Sequence, residues 1–157
     1  MTLWLVGCGN MGGAMLHRWV AGGLDPRRVT VVDPGRPDVP SGTKVVPAPP
    51  LGNGPHALVL AIKPQQLDAV APLLASTATP LLLSILAGVE EAALATRFPA
   101  ARAIVRAMPN LPVAIGAGVT ALHADRADDA ARALAVALAA PLGHVEWIAD
   151  EGVFDAV

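Results

Sequence analysis

Leu3-Trp4-Leu5-Val6-Gly7-Cys8-Gly9-Asn10-Met11-Gly12 decides the fold. An apolar run of strand type passes straight into G-x-G-x-x-G and then into residues with helical spacing. That order predicts a strand, a tight glycine turn and the N-terminus of a helix. Each glycine has its own physical task. Gly7 takes the backbone angles of the turn, Gly9 leaves space for a diphosphate to approach the main chain, and Gly12 lets helix and strand pack closely. The helix then turns its free N–H groups and positive dipole end toward the phosphates. Gly7, Cys8, Gly9, Asn10, Met11 and Gly12 are therefore expected to contact a dinucleotide.

Outward from this loop, strand and helix alternate. The first helix is expected over 11–21, with Met11, Ala14, Met15, Trp19 and Val20 on one face and Gly22-Gly23 as its stop. Strands follow at 29–32, 44–46, 57–62, 80–86 and 102–108, with helices over 65–75 and from 90 to about 99. Two later strands at 118–123 and 144–148 enclose an alanine-rich helix over 126–140. Alternation through the first hundred residues implies parallel strands joined by right-handed crossovers. The expected fold is α/β, a Rossmann-like doubly wound, mostly parallel sheet with helices on both faces. Residues 34–55, rich in Pro, Gly and small polar side chains, are expected to be loop around a short strand. Residues 1–150 are expected to form one NAD(P)-binding domain, and 151–157 to begin a segment leading toward a further domain.

Hydrophobic residues make up 54% of the chain and charged residues only 15%, with a mean hydropathy of +0.52. Strands buried on both faces produce such a composition without a membrane, and an apolar face meant for another surface adds to it. No apolar run approaches the roughly 18 residues of a membrane span, and no basic lead-in marks a signal peptide. A single cysteine, Cys8, forbids an internal disulfide and suits a reducing compartment. The expected location is cytoplasmic. A net charge of −2 without a basic run argues against nucleic acid as a partner.

Asp33 closes the second strand about 20 residues beyond Gly12, where a carboxylate can accept hydrogen bonds from ribose hydroxyls; a turn aspartate before Pro34 is an equal reading. Arg36 can pair with a 2′-phosphate. A carboxylate about 4 Å from a phosphate costs on the order of 1 kcal/mol in water, so Asp33 favours NADH and Arg36 favours NADPH. Ala61-Ile62-Lys63-Pro64, Ala87-Gly88 and Met108-Pro109-Asn110 stand at the carboxyl ends of successive strands, where open sheets bind ligands. Lys63 reads equally as a cofactor contact or a solvated strand-end lysine. His17, His56, His123 and His144 lack metal-ligand spacing, so no metal is expected. Glu90-Glu91 reads as a helix start, and no general acid is evident.

Taken together these blocks resemble the pyrroline-5-carboxylate reductase family. The matching segments are Gly7 to Gly12, Leu60-Ala61-Ile62-Lys63-Pro64-Gln65, Ser84-Ile85-Leu86-Ala87-Gly88, Arg106-Ala107-Met108-Pro109-Asn110-Leu111-Pro112 and Gly116-Ala117-Gly118, in family order. The resemblance implies hydride transfer from NADPH or NADH to the ring imine of 1-pyrroline-5-carboxylate, giving L-proline. It implies that Ala61, Ile62, Lys63, Pro64 and Ala87 line the cofactor and that Met108, Pro109 and Asn110 lie near the nicotinamide. Glu151 matches an acidic position near the substrate, and also reads as a helix-start glutamate. In the family, residues 154–157 lead into a substrate loop and a helical domain that makes a homo-oligomer. The proton donor is expected there, and this chain alone is expected to supply the cofactor half and to be inactive. A stand-alone dinucleotide-binding module, or a reductase of another imine or ketone, is the alternative.

Overall fold

The computed structural model describes residues 1–156; Val157, with which the expected segment 151–157 ends, lies outside the described residues. Eight strands form one sheet in the order β3-β2-β1-β4-β5-β6-β7-β8. They are β1 (Leu3–Val6), β2 (Val29–Val32), β3 (Lys44–Val46), β4 (Ala57–Leu60), β5 (Leu81–Ser84), β6 (Ile104–Met108), β7 (Gly118–His123) and β8 (Gly143–Trp147). The first six are parallel in register, β7 runs antiparallel to β6, and β8 is parallel to β7. Between β6 and β7 lies only a 3₁₀ turn, Leu111–Ile115, with Pro112 as its second residue and Gly116, at φ +73°, closing it. A parallel return needs a crossover of a dozen or more residues. The short link therefore reverses the strand.

The helices are α1 (Asn10–Ala21), α2 (Leu67–Leu74), α3 (Glu91–Arg97), α4 (Asp129–Ala139) and α5 (Glu151–Asp155). Strand side chains alternate between two cores. Leu3, Leu5, Val29, Val31, Val59, Leu83 and Val105 pack with Met15, Leu16 and Trp19 of α1 and with Ala131, Ala135 and Leu138 of α4. Trp4, Val6, Leu58, Leu60 and Leu82 pack with Leu67, Ala71 and Leu74 of α2 and with Leu94 and Phe98 at α3. The sheet is thus covered on both faces, which bears out the doubly wound, mostly parallel architecture. The apolar strands are double-sided, as the composition implied. Trp19 donates its indole N–H to the Leu138 carbonyl at 2.8 Å, tying α1 to α4 with its polar atom satisfied.

Several elements are shorter than their sequence pattern suggests, for local reasons. The strand over 57–62 stops at Leu60; Ala61 keeps one ladder bond, its N–H to the Val6 carbonyl, and the chain bends at Ile62. The helix over 65–75 begins as a 3₁₀ turn, Pro64–Gln66, and becomes α2 only at Leu67. The helix over 126–140 starts later, where Asp128 accepts from the Ala131 N–H at 2.8 Å as its N-cap. No helix among the described residues is long and apolar enough to cross a membrane.

Candidate functional site

The parallel ladders continue one residue past β1, β2, β4 and β5. Gly7 N–H donates to the Val32 carbonyl, Asp33 N–H to Val46, Ala61 N–H to Val6 and Ile85 N–H to Leu60, all at 2.8–3.1 Å. Four successive chain exits therefore leave the sheet at one level along its carboxyl rim. The chain order reverses between β1 and β4, which are hydrogen-bonded neighbours. This is the crevice where open α/β sheets take ligands.

The glycine loop at this point is tight underneath and open above. Gly7 has φ +85°, and a Cβ there would meet the Ala61 carbonyl oxygen at 2.8 Å. A Cβ on Gly12 would meet the Gly7 carbonyl oxygen at 2.9 Å and Ala61 Cβ at 3.3 Å. Gly9 differs from both: φ is an ordinary −76° and a Cβ would meet nothing within 4 Å among the described residues. Its lack of a side chain is needed for neither turn nor packing, and so it keeps the space over the loop clear. Helix α1 has no side-chain cap and no acidic residue in its first turn, and Gly13 N–H to Gly9 carbonyl is its first capping bond. The amides before Gly13 lack intrahelical partners by the geometry of any helix start. An anion fits such an end, through both the free donors and the helix dipole.

Asp33 secures the loop. Its Oδ2 accepts from Cys8 N–H at 2.9 Å and its Oδ1 from Gly35 N–H at 2.8 Å, so the side chain forms the turn and links the ends of β1 and β2. Cys8 lies buried beneath the loop, and burial followed by the nearby Asp33 charge pushes its thiol pKa up. It is therefore a poor nucleophile. Arg36 is exposed and holds a left-handed backbone, φ +50°. Asp33 and Arg36 border one cavity of about 560 Å³ with Pro34, Pro37, Val46 and Pro47. Beside it, an apolar cavity of about 210 Å³ is walled by Val32, Ile62, Val70 and Leu73 near Gly7 and Asp33. The sequence reading missed Val70 and Leu73. Their i, i+3 spacing in α2, with Leu73 59% exposed, was the available signal.

The other expected site residues fall at the rim with varied roles. Lys63 and Pro64 are exposed, Ala61 and Ile62 half-buried, and Lys63 N–H donates to Gln66 Oε1 at 3.1 Å across the 3₁₀ turn. Ala87 is exposed in the turn after β5. Met108 ends β6, Pro109 follows, and Asn110 Oδ1 accepts from Val119 N–H at 2.9 Å, holding the 3₁₀ turn against β7. Glu151 is N1 of α5, and its carboxylate is engaged within the protein. It accepts from Glu91 N–H at 2.8 Å and pairs with Arg106 at 3.0 Å.

The family model described as NADP oxidoreductase, coenzyme F420-dependent, matches residues 2–88, which include the glycine loop and the whole crevice. A pyrroline-5-carboxylate reductase from Synechocystis is 39% identical across all of this chain, which covers 61% of that relative. One from Thermus thermophilus is 37% identical over 99% of the chain and 61% of its own length. The structure of a pyrroline-5-carboxylate reductase from Coxiella burnetii superposes with a TM-score of 0.83 at 29% identity, over 96% of this chain and 59% of that one. The expected resemblance is borne out. The chain spans about three fifths of the length of the relatives it matches.

Proposed function

The chain belongs to the family described as NADP oxidoreductase, coenzyme F420-dependent, and on that premise we propose that it is the NAD(P)H-binding half of a pyrroline-5-carboxylate reductase. The observation that carries the cofactor half is the loop at Gly7 to Gly12, closed below by Gly7 and Gly12 and open above Gly9. In this reading the amides of Asn10, Met11 and Gly12 hold the diphosphate, while Cys8 N–H remains on Asp33. Asp33 keeps spare lone pairs for the adenosine ribose, and Arg36 meets a 2′-phosphate when the cofactor is NADPH. The apolar cavity at Ile62, Val70 and Leu73 takes the adenine.

When bound, the dihydronicotinamide supplies a hydride, which is the hard part of the chemistry. The task of this chain is position. Ala61, Ile62, Lys63 and Pro64, with Ala87 and Met108-Pro109-Asn110, form the rim along which the nicotinamide end lies. Catalysis requires the imine carbon within about 3–3.5 Å of the hydride donor. The names of the relatives support 1-pyrroline-5-carboxylate as substrate and L-proline as product. We assign the proton donor and most of the substrate site to residues other than those at this rim, in keeping with the greater length of the relatives. Residues 1–150 serve as the cofactor domain in this scheme, 151–157 lead to the substrate part, and the longer polypeptide is a homo-oligomer. Exposed Ile115, Val119 and Val153 supply apolar surface for such contacts. The buried thiol of Cys8, alone of its kind, suits a reducing cytoplasm.

Titration of this chain with NADPH and NADH, followed by nicotinamide fluorescence, tests the cofactor half. Saturable binding of both is expected, with little proline formed when pyrroline-5-carboxylate is added. Absence of binding would remove the dinucleotide role. Fast turnover by this chain alone would show that it needs no further substrate domain.

A further inference from the structure

Two residues before the rim residue Met108 on β6, four separate elements bring ionisable side chains together. Arg106 of β6 is 1% exposed and pairs with Glu151 and Asp155 of α5, while its guanidinium lies 4.7 Å from the centre of the Phe154 ring. His123 of β7 and Glu91 of α3 are buried beside them. One carboxylate oxygen of Glu91, one ring nitrogen of His123 and one oxygen of Glu151 all lie within 4.8 Å of one another.

His123 makes this more than a group of acids. Its Nδ1 stands 2.8 Å from the Ile148 carbonyl oxygen. A carbonyl only accepts, so Nδ1 carries a proton, and in the neutral form of the ring the lone pair is at Nε2. Nε2 is fully buried without a hydrogen-bond partner among the described residues. Asp125 Oδ1 lies 3.3 Å away and Glu91 Oε2 3.8 Å away, yet neither accepts from it in hydrogen-bonding geometry. A proton on Nε2 would find no aligned acceptor, and a bare lone pair faces carboxylates. A cation among the three donors resolves both problems.

We propose that Glu91, His123 and Glu151 form a divalent-cation site of the Zn²⁺ type, with Asp125 at its exposed mouth, that clamps α3, β7 and α5 together. The donor set is imidazole plus carboxylate, which suits Zn²⁺ and its mimic Co²⁺. Zn²⁺ needs about 2.0–2.2 Å to each such donor, so the side chains close in by roughly 1 Å. Groups that would orient these three ligands are already in place. His123 Nδ1–H is oriented by a backbone carbonyl, Glu91 Oε2 accepts from Asp125 N–H at 2.8 Å, and Glu151 Oε2 accepts from Arg106 at 3.0 Å. Four carboxylates gather here around one guanidinium and one imidazole, Glu151 and Asp155 on Arg106 and Glu91 and Asp125 beside His123. A dication offsets the surplus negative charge.

The test uses the untagged full chain, stripped with a chelator and titrated with Co²⁺ alone. Saturable binding is expected, with visible d–d absorption of low coordination number, displacement by Zn²⁺ and a raised Tm. His123→Gln and the isosteric Glu91→Gln are each expected to weaken Co²⁺ at least tenfold while circular dichroism and the NADPH titration stay unchanged. The site is overturned if the parent chain binds no Co²⁺ saturably, or if both variants bind it as the parent does. A His123 ring whose ¹⁵N spectrum keeps a proton on Nε2 in the presence of Co²⁺ would also overturn it. NADPH binding is read separately, so failure here leaves the cofactor assignment standing.

Discussion

At the β1–α1 junction the groups disposed toward a ligand are backbone amides, whereas beneath α5 they are side chains drawn from four elements. The first region needs only the right backbone angles over a short stretch of chain. Gly7, at φ +85°, and Gly12, against the Gly7 carbonyl, supply them locally. The second depends on Glu91, Arg106, His123, Glu151 and Asp155 arriving together from positions 91 to 155 of the chain. The difference shows two ways of handling charge. The loop displays fixed dipoles at the surface and leaves the anion to a ligand. The buried cluster holds charges of both signs inside the protein, where each must be met by another.

The largest expected effect separates binding from folding at the loop. Gly9→Val should abolish NADPH binding in a fluorescence titration. It should cost less than about 1 kcal/mol of stability, the penalty of a branched residue at an N-cap, because no neighbour lies within 4 Å. Loss of the fold instead would mean that Gly9, like Gly7, is a structural glycine, and the contrast within the loop would fail. At the other region the order reverses. Arg106→Met should cost about 3 kcal/mol in urea unfolding, the lower end for a broken buried pair, since Glu151 and Asp155 keep partial contact with solvent. NADPH affinity should stay within a factor of two or so, because additivity holds for separated sites. A large drop in affinity would show that the two regions are coupled.

A finer test compares cofactors. Arg36→Ala should weaken NADPH about fivefold, or about 1 kcal/mol, the value of one exposed charge pair, and leave NADH unchanged. Equal losses would take Arg36 out of the 2′-phosphate role. The smallest effect concerns acid. Hydrogen bonds from Arg106 hold the Asp155 carboxyl below the usual carboxylate range. The unfolded value is near 3.9, so this contribution is complete above about pH 5 and is lost as pH falls through the lower folded value. Asp155→Asn should therefore lower Tm at neutral pH and flatten its fall on acidification. Parallel Tm–pH curves for parent and variant would exclude Asp155 as a source of acid sensitivity.

How much was legible follows the same division. β1, β2 and β7 begin and end where their apolar runs and glycines put them, because a largely buried strand leaves a continuous local signal. Ala61 and Ile62 read as strand yet leave the sheet, because apolarity at a rim does not distinguish a strand end from a pocket wall. Asp33 was open between a turn and a ribose contact. Its bonds to Cys8 and Gly35 show the turn role, and the second is retained as a proposal. Glu91 read as a helix start, and it is one, but it is also a buried carboxylate. Nothing in the spacing of His123 hinted at its neighbours. Metal-ligand spacing is a property of one turn or one loop, and these donors come from three elements.

From the order of residues alone came the alternation of strands and helices, the glycine junction and the position of the crevice. All three depend on periodicity and backbone freedom within about a dozen positions, and such local physics is written along the chain. Tertiary packing alone decided the apolar cavity beside Asp33 and the company kept by Arg106 and His123. Those depend on which distant segments share a face of the sheet, and on the need for every buried charge to find a partner there.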